Sequence, residues 1–169
     1  MNFLVLGCNG MAGHMISLYL KEKGYNVTGY ARHVSYYVQT ILGDVKDLAL
    51  LKDVVYRGKY DYVINCIGLL NQYAEMNPAE AVFLNSYLPH YLCQITEGMD
   101  TCIMHMSTDC VFSGQKGQYT EHDLPDGISF YDRTKALGEI IDGKNTTNST
   151  RARFLPFNAR PRNGQLSAH

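Results

Sequence analysis

The sequence predicts an α/β fold, a doubly wound parallel sheet with helices on both faces in three α/β/α layers. Three observations carry this expectation. Short apolar runs alternate along the chain with segments of helical apolar spacing. The first run has the character of a strand buried on both faces. A glycine-rich turn joins that run to the first helical segment.

The elements follow in order. Asn2–Leu6 is apolar and closes at Gly7, the pattern of a buried parallel strand. From Met11 to Lys23 apolar residues recur at helical spacing (Met11, Met15 and Leu18; Ile16 and Leu20), and Gly24 stands where a C-terminal cap belongs. Asn26–Tyr30 and Val38–Leu42 read as the second and third strands and Leu48–Tyr56 as a helix. Tyr60–Cys66 is a strand, Pro78–Thr96 a long helix, Thr101–Ser107 a strand and Tyr131–Ile141 a helix. No internal repeat or low-complexity segment interrupts them.

Composition bounds the function. The chain has 169 residues, 46% of them hydrophobic, enough for one core. A net charge of -1 gives no polyanion signal, so nucleic acid is not an expected partner. No apolar run is long enough to span a membrane, and the N-terminus lacks the basic region of a signal peptide. Cys8, Cys66, Cys93, Cys102 and Cys110 form no framework, which points to a reduced cytoplasmic protein. The charge is uneven, however. Arg151, Arg153, Arg160 and Arg162 all follow Asn148, and no acidic residue does. The expected organisation is a folded domain over 1–148 and a disordered basic tail over 149–169.

Gly7, Gly10 and Gly13 form a G-x-x-G-x-x-G run, with Asn9 and Met11 between them, where the first strand enters the first helix. At that position Gly7 permits the tight turn, Gly10 lets the backbone approach a pyrophosphate, and Gly13 allows close helix–strand packing. This is a Rossmann-type dinucleotide signature, although its spacing differs from G-x-G-x-x-G and a glycine turn without ligand is the plain alternative. At the end of the second strand, where an acid would bind the ribose of NAD, stand Arg32 and His33. A cation there suits a 2′-phosphate, so NADPH is expected, with NADH left open. Tyr131 and Lys135 lie four apart on one helical face. An ammonium beside a phenol lowers the phenol pKa and readies it for proton exchange with a carbonyl. Ser107 and Thr108 end a strand where α/β sheets bind ligands, although Ser, Thr and Asp also cap ordinary loops.

Together these stretches resemble the dTDP-4-dehydrorhamnose reductase group of extended short-chain dehydrogenases/reductases. The resemblance runs from residue 1 to about 148. It rests on GCNGMAG at 7–13, Asp44-Val45, NCIG at 65–68, LNSYLPHYL at 84–92, STDCVFSG at 107–114 and YDRTKALGE at 131–139. It implies that Thr108 orients the substrate carbonyl, that Tyr131 donates the proton, and that Lys135 tunes the tyrosine and holds the nicotinamide ribose. It assigns Asp44 and Val45 to the adenine loop and Cys66, Ile67 and Gly68 to the backbone lining the cofactor. Asn85 matches a helix asparagine near that strand, with Ser107 beside Thr108. The implied activity is reduction of an NDP-4-keto-6-deoxy sugar by NADPH for surface polysaccharide synthesis; a homodimer stays open. An epimerase or dehydratase, to which Asp109 would suit, and a non-catalytic nucleotide-binding subunit are the rival readings.

Departures from the family pattern are Cys110, where tyrosine is frequent, Asp132, where glycine is usual, and the end of the chain. Relatives continue with a sixth strand and a sugar-nucleotide domain. Here Pro156 and Pro161 disfavour a central strand. The C-terminal part of the fold is therefore expected to be missing, as in a truncated or frame-shifted product, with little turnover. Cys102 and His105 are an odd number apart on a strand and face opposite sides, so no metal site is expected. The Asn145 and Asn148 glycosylation sequons have no meaning in a cytoplasmic protein.

Overall fold

The computed structural model describes residues 1–120, 122–140 and 142–148. The expected basic tail and Ile141 lie outside the described residues. Six strands, β1 (Asn2–Leu6), β2 (Asn26–Ala31), β3 (Gln39–Leu42), β4 (Tyr62–Asn65), β5 (Cys102–Met106) and β6 (Thr146–Asn148), form one sheet in the order β3-β2-β1-β4-β5-β6. Every pairing is parallel. The order reverses between β1 and β4, which opens a crevice outside their carboxyl ends. The helices are α1 (Met11–Glu22), α2 (Leu48–Gly58), α3 (Asn71–Met76), α4 (Pro78–Ala81), α5 (Leu88–Ile95) and α6 (Phe130–Leu137).

β1 shows why the sheet is covered on both faces. Its side chains alternate, and both sets are fully buried. Leu4 and Leu6 join Leu51, Val55, Leu88, Leu92 and Ile103 in one cluster, under α2 and α5. Phe3 and Val5 join Cys8, Leu20, Val38 and Ile64 in the other, under α1. Each such side chain contributes roughly 1.5–3 kcal/mol on burial.

The observed elements differ in places from those expected. The Met11, Met15 and Leu18 stripe does not face the core: Met11 is 85% exposed and Met15 59%. α1 buries Gly13, Ser17 and Leu20 instead, because small residues let it lie against β1. The long helix expected over 78–96 runs on without a break from Pro78 to Ile95 but changes pitch in its middle. A π-helical stretch, Val82–Tyr87, joins α4 to α5. The last helix stops at Leu137, where Gly138 packs so tightly that a Cβ would stand 1.8 Å from the Asn85 carbonyl oxygen. Finally, a short sixth strand is present. β6 pairs with β5 and is pinned at its start, where Asn145 Oδ1 accepts the Ile103 N–H at 2.8 Å. The strand ladders are also shorter than expected, leaving Tyr60, Cys66 and Ser107 in the connections.

Candidate functional site

The glycine turn lies at the carboxyl end of β1. Gly7 takes φ +75°, and a Cβ there would come within 2.9 Å of Ile67. At Gly13 a Cβ would sit 2.2 Å from the Gly7 carbonyl oxygen, so only glycine lets the helix start this close to the turn. A Cβ at Gly10 would meet just that same oxygen, at 3.3 Å, leaving its other side open. Gly10 caps α1 without a side-chain hydrogen bond, and the first turn carries no acid. The result is an anion-receptive helix terminus with Met11, 85% exposed, at its mouth. The Asn9 amide donates to the His33 carbonyl at 2.8 Å and so ties this turn to the loop after β2.

Arg32 is exposed in that loop and lies close enough to Lys46 to disfavour its charge. Lys46 in turn pairs with Glu80 at 2.7 Å. Two cations thus stand where the sequence singled out one. Asp44 shapes the neighbouring turn: its carboxylate accepts the Lys46 N–H at 2.9 Å and its carbonyl the Tyr30 hydroxyl at 3.1 Å. The Val45 side chain turns into the core.

Past β4, Cys66, Ile67 and Gly68 cross the crevice. Burial pushes the Cys66 thiol up to about 12, so it is no nucleophile at neutral pH. Asn85, on the π-helical stretch, is fully buried. Its amide spans the Leu69 peptide, accepting from Leu69 N–H at 2.8 Å and donating to Leu69 O at 2.9 Å. It also donates to Thr134 Oγ1 at 3.1 Å, which joins the crossing loop to α6.

The end of the sheet that carries Thr108, Tyr131 and Lys135 is built from β5 and α6. Ser107 donates to Glu139 at 3.1 Å. Thr108 begins a 3-10 turn, Asp109–Val111, and accepts the Cys110 N–H at 3.2 Å. The Thr108 hydroxyl also faces the Tyr131 phenol, closely enough to ease its ionisation. Tyr131 is nearly buried against Ala74 and Ala81. Asp132 completes a capping box with Ser129, which explains an acid at this point of α6. Glu75 adds a carboxylate that accepts the Phe130 N–H at 2.7 Å.

Lys135 departs from expectation. Its Nζ donates to the Met106 carbonyl at 2.6 Å and contacts His105 Nε2 at 3.2 Å. Burial holds the Tyr131 pKa above its ordinary value, with the Thr108 hydroxyl opposing it. Lys135 itself is pushed down to about 8, by its own burial first.

A family comparison matches residues 1–154 to the RmlD substrate binding domain. The chain belongs to this family. Among curated relatives, it is 31% identical over 140 residues to dTDP-4-dehydrorhamnose reductase from Streptomyces griseus, covering 81% of this chain and 43% of that protein. It is 30% identical over 139 residues to the "Probable low-salt glycan biosynthesis reductase Agl14" of Haloferax volcanii, covering 80% and 46%. The crystal structure of a hypothetical dTDP-4-dehydrorhamnose reductase from Sulfolobus tokodaii superposes with a TM-score of 0.74 at 29% identity, covering 82% of this chain and 50% of that one. The chain thus spans half the length of these relatives or less.

Around these strand ends the structure also places Asn65, His105 and Glu75 beside Lys135 and the start of α6, and Lys46 near Arg32, positions to which sequence reasoning assigned no site role. Asn65 and His105 sit opposite each other in the β4–β5 register, so strand pairing was the available signal. Among the described residues no group of His, Cys, Asp and Glu is arranged to hold a metal ion, and no helix is long and apolar enough to cross a membrane.

Proposed function

We propose that this chain is the cofactor-holding part of a reductase that converts the 4-keto group of an NDP-4-keto-6-deoxy sugar to a hydroxyl, with NADPH as reductant. The observation that carries the reading is the convergence of Thr108, Tyr131 and Lys135 at the carboxyl ends of β4 and β5, beside an open glycine turn. The donor set fits a dinucleotide. Gly7, Gly10 and Gly13 keep the turn clear of Cβ atoms where Asn9 and Met11 border it; the Gly7 and Gly10 N–H groups are bonded to the Tyr30 and Gly7 carbonyls, so the first turn of α1, from Met11 to Gly13, would meet a pyrophosphate. Arg32, with Lys46 beside it, would hold a 2′-phosphate. Asp44 and Val45 would flank the adenine, and Cys66, Ile67 and Gly68 the nicotinamide half. Asn85 keeps that loop in place, and Lys135 would reach the ribose. NADPH, when bound, supplies the reducing equivalent for the carbonyl carbon.

The chain's own groups do the rest. Thr108 donates a hydrogen bond that orients the carbonyl oxygen, and Tyr131 delivers the proton to it. A phenol held above its ordinary pKa stays protonated at neutral pH, which suits a proton donor. The product would serve surface glycan synthesis. All five cysteines are thiols, in keeping with a cytoplasmic enzyme. Stopped-flow NADPH oxidation with a dTDP-4-keto-6-deoxy sugar tests the reading, using a chain extended to the length of its relatives. Turnover should occur there, and Tyr131→Phe should abolish it while NADPH still binds. A Tyr131→Phe enzyme at full rate would remove the mechanism.

A further inference from the structure

Two buried side chains of opposite sign grip one peptide unit at the exit of β5. Lys135 is 4% exposed and Glu139 9%. Lys135 Nζ donates to the Met106 carbonyl at 2.6 Å, and Glu139 Oε1 accepts the Ser107 hydroxyl at 3.1 Å. Met106 and Ser107 are neighbours, so the two contacts lie on either side of the same peptide bond. Lys135 and Glu139 are four residues apart. α6 ends at Leu137, yet Gly138 keeps right-handed helical dihedrals, and the Glu139 N–H donates to the Ala136 carbonyl at 3.2 Å. The chain thus holds a helical path through Glu139, and residues four apart along such a path share a face.

We propose that Glu139 is a positioning residue: its carboxylate anchors Ser107 and is the buried counter-charge of the Lys135 ammonium. A charge taken out of water needs a partner of opposite sign. Among the described residues, the titratable groups around Lys135 leave that place to Glu139. His105 meets the Asn65 amide at 3.1 Å and Lys135 Nζ at 3.2 Å. Burial drives its pKa down to about 2, so the ring is neutral. As an ammonium, Lys135 can donate to that ring and to the Met106 carbonyl at once. Tyr131, on the same helix, stays a phenol at neutral pH because burial raises its pKa. Burial pulls the Lys135 pKa down to about 8, and Glu139 and Cys66 hold it up against that pull. Burial pushes the Cys66 thiol up to about 12, so it carries no charge where Lys135 titrates. The Glu139 carboxylate is then the anion that acts on Lys135 near neutral pH.

Without Glu139, burial would act on Lys135 with less to oppose it, and its charge would be lost nearer neutral pH. Under the reductase reading, Glu139 so preserves the cation that would reach the ribose. That consequence rests on the reading; the pairing does not, because its test uses neither cofactor nor sugar. Glu139→Gln keeps the carbonyl oxygen that accepts from Ser107 and removes the charge. 13C NMR of the Lys135 ε-carbon follows its titration in the 169-residue chain. The midpoint should lie near pH 8 in the unaltered chain. It should lie about one pH unit lower in Glu139→Gln. A role confined to holding Ser107 predicts no such shift. In the unaltered chain the Glu139 δ-carbon should also show an inflection at the pH where Lys135 loses its proton. A folded Glu139→Gln chain in which Lys135 titrates as before overturns the proposal. So does a Glu139 δ-carbon that ignores the Lys135 titration, a result that needs no variant to fold.

Discussion

Asn85→Ala tests how the crossing loop is held. The substitution leaves the Leu69 N–H and C=O without the amide that meets them at 2.8 and 2.9 Å. Thr134 Oγ1 loses a donor but keeps its bond to the Tyr131 carbonyl at 2.9 Å. A buried orphan costs ~1–3 kcal/mol, and Leu69 is half-buried, so water recovers part of each loss. The expected destabilisation is about 2–4 kcal/mol, including the small cavity. Urea unfolding would show it as a lower midpoint at unchanged slope. Asn85→Asp refines the test. Its carboxylate keeps the acceptor for Leu69 N–H but opposes the Leu69 carbonyl, whereas the protonated acid restores a donor. The folded-state pKa of that acid is therefore raised, and its deficit should shrink as pH falls. A cost below about 1 kcal/mol for Asn85→Ala, or a pH-independent Asn85→Asp, would refute the clamp.

Further outcomes follow from the same geometry. Asp132→Ala removes half of the Ser129 capping box and should cost about 1 kcal/mol by thermal unfolding. Arg32→Ala should weaken NADPH by ~1.5–3 kcal/mol in calorimetry and leave NADH nearly unchanged. Lys135 should shape stability in alkali. Its folded pKa is depressed from 10.5 to about 8, so between those values the unfolded chain holds more protons and the stability tied to Lys135 rises with pH. Cys66 and Cys93, raised from 9.0 to about 12, act with the opposite sign. The difference between the unaltered chain and Lys135→Met isolates the Lys135 contribution, rising by about 1.4 kcal/mol per pH unit across that window.

The layered fold was legible because β1 and its glycine turn leave few alternatives: an apolar strand, a turn without side chains and a helix repeat a known physical solution. The buried face of α1 was misread for a related reason. Apolar periodicity marked Met11, Met15 and Leu18 along with Ile16 and Leu20; Leu20 is buried, but close approach to the sheet also needs Gly13 and Ser17, which periodicity does not count. β6 was missed since Pro156 and Pro161 drew attention past it, while three residues pinned by Asn145 suffice to pair with β5. Tyr131 and Lys135 were marked by helical spacing and Thr108 by its place at a strand exit, the resemblance supplied their roles, and the structure brings them to one end of the sheet. The Asn65–His105–Lys135 chain was invisible, because it depends on which side chains face each other across β4 and β5.

The proposed reductase requires the glycine turn and the ends of β4 and β5 to form one nicotinamide dinucleotide site. Calorimetric titration of NADPH into the 169-residue chain tests this most directly, alongside Gly13→Ala, whose Cβ would stand 2.2 Å from the Gly7 carbonyl oxygen. Saturable one-to-one binding is expected, tighter than that of NADH, with a marked loss in a folded Gly13→Ala chain. A folded unaltered chain that binds neither dinucleotide, or a Gly13→Ala chain that binds NADPH as well as the original, would contradict it.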